Sequence, residues 1–114
     1  MKVLIVDDNE QARRMIKHYL SELSDEFREC EDGEEALNAY KEFLPDWVLM
    51  DWEMKQVNGI AATQNIIAEF PDAKILIVTS YDENDLRQTA KEAGAVGFIL
   101  KDDLLLLQSF LKGH

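Results

Sequence analysis

Four short apolar runs, each closed by a polar group, constrain this chain more than any other feature. Val3-Leu4-Ile5-Val6 ends in Asp7-Asp8, Trp47-Val48-Leu49-Met50 in Asp51, Ile75-Leu76-Ile77-Val78 in Thr79-Ser80, and Val96-Gly97-Phe98-Ile99-Leu100 in Lys101. An apolar run without alternation suits a strand whose two faces are both covered. Longer segments of helical period separate the runs. Strands alternating with helices through right-handed crossovers give a doubly wound, five-stranded parallel α/β sheet with helices on both faces. Ligands of such sheets sit beyond the carboxyl ends of the strands. Three carboxylates, the Thr79 hydroxyl and the Lys101 ammonium converge there.

The predicted strands span about 2–6, 27–31, 46–51, 74–79 and 96–100. The second, Phe27-Arg28-Glu29-Cys30-Glu31, is mostly polar and belongs at an edge. The first helix, about 9–24, places Ala12, Met15, Ile16, Tyr19, Leu20 and Leu23 on one stripe. The second, about 33–44, buries Ala36, Leu37, Tyr40 and Leu44; the third, about 59–70, buries Ile60, Thr63, Ile66, Ile67 and Phe70. Pro45 and Pro71 stop these two helices, and Gly94 closes the fourth. That fourth helix, about 82–93, has only Leu86, Ala90 and Ala93 to turn inward, so it is weakly anchored and expected to move. The fifth, about 102–112, has a surplus: Leu104-Leu105-Leu106-Leu107, then Phe110 and Leu111, cover more than one face.

Composition excludes several roles. Lys and Arg total 12 against 23 Asp and Glu, a net charge of −11, which argues against direct contact with nucleic acid or an anionic membrane surface. No apolar stretch reaches membrane-spanning length. The single Cys30, read as a semi-buried strand residue, has no partner for an internal disulfide, which points to a reducing cytoplasm. No linker or repeat divides residues 1–114, which read as one domain.

The chemistry follows from the convergence. Asp7, Asp8 and Asp51 repel one another, and a divalent cation removes the conflict. Oxygen ligands without His or Cys favour Mg²⁺, with Mn²⁺ as the alternative. Taken alone, Asp8 or Asn9 reads as a helix cap, Lys101 as a solvated lysine and Thr79 as an ordinary strand residue. Together they can hold a phosphoryl group. Asp51 can attack phosphorus to give an acyl phosphate. Mg²⁺ and Lys101 would offset the charge spread over the moving oxygens, and Thr79 would meet one of them.

Val6-Asp7-Asp8-Asn9, Leu49-Met50-Asp51, Asn58-Gly59, Val78-Thr79-Ser80, Ala93-Gly94-Ala95 and Gly97-Phe98-Ile99-Leu100-Lys101 resemble the receiver domain of bacterial two-component response regulators, in the same order over nearly the whole chain. The resemblance implies a flavodoxin-like strand order 2-1-3-4-5. It implies that Asp51 accepts a phosphoryl group from a sensor histidine kinase or a phosphotransfer protein. Asp7, Asp8, Asp51 and the main-chain carbonyl of Glu53 would hold Mg²⁺. Thr79 would be the switch hydroxyl, Phe98 the switch aromatic, Lys101 the phosphate contact, and Glu53 and Tyr81 would tune phosphoryl lifetime. Lys101-Asp102 and Phe70-Pro71-Asp72-Ala73-Lys74 are similar to receivers of the NarL-like helix-turn-helix subclass, which implies a role in transcription regulation. No output domain is expected within these residues. Lys55 stands where the family commonly has proline, which implies a less rigid loop after Asp51. His18, on the exposed side of the first helix, and the terminal His114 are not expected to be catalytic.

The leading expectation is a signalling domain, not an enzyme, that promotes its own phosphorylation and dephosphorylation. It would signal through the surface of the fourth helix, fifth strand and fifth helix, with a homodimer through the fourth and fifth helices. The competing expectations are a Mg²⁺-dependent phosphohydrolase with Asp51 as nucleophile, and a degenerate receiver that only binds partners.

Overall fold

The computed structural model describes residues 1–54, 56–82 and 84–113, with the side chain of Asn84 left aside. Strands β1 (Lys2–Val6), β2 (Glu26–Cys30), β3 (Trp47–Met50), β4 (Ile75–Thr79) and β5 (Gly97–Leu100) form one parallel sheet in the order β2-β1-β3-β4-β5. The helices are α1 (Glu10–Tyr19), α2 (Ala36–Phe43), α3 (Gly59–Glu69), α4 (Asn84–Ala93) and α5 (Leu107–Lys112). Short 3-10 turns, Gly33–Glu35 and Lys101–Leu106, precede α2 and α5.

The sheet separates two apolar layers because strand side chains alternate between faces. Leu4, Val6, Val48, Met50, Ile75 and Ile77 point to α2, α3 and α4, where they meet Ala36, Tyr40, Ala62, Ile66 and Ala90. Val3, Ile5, Leu49, Leu76, Val78 and Ile99 point to α1 and α5, against Ile16, Leu20, Leu104, Leu107 and Leu111. Polar β2 lies at an edge, as its sequence requires.

Several details depart from the sequence reading. Helix α1 ends at Tyr19, and Leu20 to Leu23 form turns. Its inward face is Arg13, Ile16 and Leu20, so the face is rotated and Met15 and Tyr19 are exposed. Leu44 is exposed too, because Pro45 bars continuation of α2 and Leu44 caps it in the left-handed region at φ 49°. The leucine-rich segment opens as a 3-10 turn, broken at Asp103, that buries Leu104 and leaves Leu105 and Leu106 exposed. Cys30 is fully buried, not semi-buried, and burial pushes its thiol up to about 11. In α4, Ala90 and Ala93 are buried while Leu86 is only half-buried, as its sparse apolar content predicts. Among the described residues no helix is long and apolar enough to cross a membrane.

Candidate functional site

The strand ladder itself delivers the acids. Beyond the end of β1, the Asp7 amide donates to the Cys30 carbonyl at 3.0 Å; beyond β3, the Asp51 amide donates to the Val6 carbonyl at 2.8 Å. Each carboxylate therefore leaves the sheet one residue past its strand and at the same edge. Asp7 is 1% exposed and Asp51 6%, while Asp8 is open to solvent. One carboxylate oxygen from each of the three lies within 4.8 Å of the others. Asn9, not Asp8, caps α1, with Oδ1 accepting from the Ala12 amide at 2.9 Å. Asp8 is thus left to the site.

Lys101 reaches in from the end of β5. Its Nζ stands 2.9 Å from Asp7 Oδ2 and 3.5 Å from Asp51 Oδ1. Asp7 Oδ2 is buried and pairs with the Lys101 ammonium. One ammonium against three carboxylates leaves an excess of negative charge. Burial, followed by the charge of Asp7, pushes the Asp51 carboxyl up to about 7; Lys101 opposes this and Asp8 adds to it. Burial by itself would lower Lys101, but contact with Asp7 and the charge of Asp51 outweigh it and raise the ammonium pKa. Three carboxylates whose oxygens converge within 4.8 Å, against the one ammonium of Lys101, are a donor set that fits a hard divalent cation.

A cleft of about 350 Å³ opens over these groups, lined by Asp8, Asp51, Glu53, Thr79, Tyr81 and Lys101 among others. Thr79 is fully buried, and its Oγ1 accepts from the Tyr81 amide at 3.3 Å. At the rim, the Tyr81 hydroxyl donates to Glu53 Oε2 at 3.0 Å, linking the loops after β3 and β4. Phe98 lies outside the cleft lining, half-buried against the α2–α4 layer, with the Arg87 guanidinium 4.6 Å from its ring centroid. Gly59 is required where it stands, since a Cβ there would collide with the Asp51 carbonyl. The expected residues Asp7, Asp8, Asp51, Thr79 and Lys101 are therefore brought together, Glu53 and Tyr81 flank them, and Phe98 sits apart. His18 is exposed on α1; Lys55 and His114 lie outside the described residues.

Sequence reasoning missed two residues around the site. Arg13 is buried on α1 and donates through Nη1 to the Asp7 carbonyl at 2.8 Å and through Nε to Glu29 at 3.0 Å. Its only signal in the sequence was spacing, three residues before Ile16 and seven before Leu20. Asp32, in the turn after β2, accepts from the Gln56 and Val57 amides of the loop after Asp51. The Asp32-Gly33 pair signalled a turn but not its neighbour.

A parallel sheet of order 2-1-3-4-5 with an acidic cleft, a lysine and a threonine at its carboxyl edge defines a CheY-like α/β signalling fold. The response regulator receiver domain family matches residues 3–108, and the chain belongs to that family. It is a receiver domain of the kind found in two-component response regulators. It is 33% identical over 105 residues to the transcriptional regulatory protein DegU of Brevibacillus brevis, covering 90% of this chain and 44% of that protein. It is 40% identical over 103 residues to the response regulator protein VraR of Staphylococcus aureus, covering 89% of this chain and 49% of that protein. The chain thus spans about half the length or less of these relatives. The signal receiver domain of the response regulator NarL from Mycobacterium tuberculosis superposes with a TM-score of 0.82 at 28% identity, covering 99% of this chain and 97% of that one.

Proposed function

We propose that Asp51 is the phosphoacceptor of this receiver. The observation that carries the reading is the buried Asp51 carboxylate, set beside Asp7 and Asp8 on one side and Lys101 on the other. An Asp51 oxygen attacks the phosphorus of a phosphohistidine on a sensor kinase or phosphotransfer protein. The new O–P bond forms as the P–N bond breaks, and the imidazole departs. Asp7, Asp8, Asp51 and the Glu53 carbonyl would hold Mg²⁺, or Mn²⁺ in its place. Bound there, the cation would offset the surplus of carboxylate charge and that of the transferring phosphoryl group.

Lys101 meets a second phosphoryl oxygen and Thr79 donates its hydroxyl to a third. Thr79 moves toward the new acceptor, and Phe98 turns out from beneath Arg87 into the space released. The altered surface of α4, β5 and the leucine-rich segment then signals, as a dimer contact or to an output domain. Glu53 and Tyr81 set how long the phosphoryl group survives, because their hydrogen-bonded pair stands where water must approach. Residues 1–114 act as one cytoplasmic signalling unit without a substrate of its own. It acts in transcription regulation through an output domain or a partner and makes no direct nucleic-acid contact itself.

The test is intact mass after incubation with acetyl phosphate and Mg²⁺. The expected result is one added phosphoryl group, formed only when the metal is present and absent from Asp51→Asn. No addition to folded protein would leave a degenerate binding module; steady turnover of a phosphomonoester would make it a phosphohydrolase.

A further inference from the structure

Residues 52–58 connect Asp51 to α3, and no proline stiffens them. If Asp51 and the Glu53 carbonyl share a cation, the backbone of this loop must be held still. Its base is closed by the Gly59 amide, which donates to the Trp52 carbonyl at 2.8 Å. Its far side is held by another element altogether. Asp32 Oδ2 accepts from the Gln56 amide at 2.9 Å, and Oδ1 accepts from the Val57 amide at 3.1 Å. Oδ1 also accepts from the Glu34 amide at 2.9 Å, which fixes the carboxylate at the head of the 3-10 turn. Beside it, Gly33 is buried, and a Cβ there would strike the Val57 carbonyl and press on Ala62. The turn after β2 and the loop after β3 are therefore fitted to each other at two adjacent residues.

Apolar packing does not replace this contact. Met54 and Val57 rest against the α2–α4 layer, a contact made by side chains and not by the backbone amides that Asp32 receives. Two successive amides received by the two oxygens of one carboxylate fix their peptide planes, and the ionised acceptor makes the bonds strong. Glu53 then lies between two held points, Trp52 and Gln56.

We propose that Asp32 is a positioning residue for the cation site, holding the loop so that the Glu53 carbonyl and the Asp51 carboxylate present a single oxygen set. This rests on the cation reading above. Asp32 touches none of the reacting groups, so its loss weakens metal binding and leaves the reactivity of the metal-loaded protein intact.

Asp32→Ala and the near-isosteric Asp32→Asn are compared with the parent in three measurements. These are hydrogen exchange of the Gln56 and Val57 amides without metal, Mg²⁺ titration followed by tryptophan fluorescence, and the rate of phosphorylation by acetyl phosphate at limiting and saturating Mg²⁺. In Asp32→Ala, both amides should lose protection, the Kd for Mg²⁺ should rise about tenfold or more, and the rate should recover at saturating metal. Asp32→Asn keeps one acceptor oxygen and should fall between; it decides the matter if the alanine variant does not fold. A general loss of stability would not move the Kd. A folded variant with an unchanged Kd, or with both amides still protected, overturns the positioning role. A parent that binds no Mg²⁺ overturns the cation reading itself and this role with it, so the parent titration tells the two failures apart.

Discussion

Asp51 is ionised at a cost to the fold. Its carboxyl is pushed from 3.8 to about 7 by burial and by Asp7, so between those values the folded chain holds a proton that the unfolded chain has released. The Asp51 contribution to the stability of the metal-free protein should therefore fall as pH rises from about 4 through 7. Each tenfold in the proton equilibrium is worth about 1.4 kcal/mol, and water reaching the cleft reduces the sum, so the loss is roughly 2–4 kcal/mol. Asp51→Asn removes it. Urea titrations in chelator should show this variant more stable than the parent at pH 8 and nearly equal at pH 4; an equal difference at both would refute the account. Mg²⁺ at a hundred times its Kd should restore about 2.7 kcal/mol to the parent. Leu44 is a second residue under strain, left-handed and exposed. Leu44→Gly should stabilise by about 0.5–1 kcal/mol, since glycine takes that conformation without a Cβ clash; thermal melts decide it. The acids, Thr79 and Lys101 were legible because each ends an apolar run, and the end of a strand is a place in space. Arg13 and Asp32 were not, because each acts on a backbone group whose approach no local pattern announces.

Helix α4 shows what apolar content does to an element. Among its described residues the buried side chains are Ala90 and Ala93, whereas α3 buries Ala62, Thr63 and Ile66 and shares the same layer. Less area removed from water means a smaller cost of local opening. Amides of α4 should exchange faster than those of α3 in the metal-free protein; equal protection in both would count against α4 as the moving part. At the start of α3, Gly59 admits the Asp51 carbonyl where any Cβ would collide. Gly59→Ala should cost about 1–3 kcal/mol by chemical denaturation, the usual penalty of overpacking. Element order and kind were readable from the change between continuous apolar runs and helical period. Element ends were not: α1 stopped early, and the leucine run began as a 3-10 turn, since both ends depend on which side chains the neighbouring elements accept.

The whole molecule buries Leu104, Leu107 and Leu111 and leaves Leu105 and Leu106 in solvent. Core packing thus accounts for part of the leucine run, and the remainder is free for the proposed contact. Leu105→Ser with Leu106→Ser should change stability by less than about 0.5 kcal/mol and abolish self-association of the phosphorylated form. Sedimentation of both proteins, with and without a phosphoryl mimic, checks it; a phosphorylated parent that stays monomeric would remove the dimer. The sequence by itself determined the parallel sheet, the polar edge strand and the gathering of Asp7, Asp8, Asp51, Thr79 and Lys101. Those follow from periodicities and strand ends, which are local properties of a chain. Only the tertiary structure decided that Arg13 is buried beneath the Asp7 carbonyl, that Asp32 holds the loop after Asp51, and that the Asp51 carboxyl titrates near neutrality. Each of these depends on distances between elements far apart in sequence, and on water excluded only once they have packed.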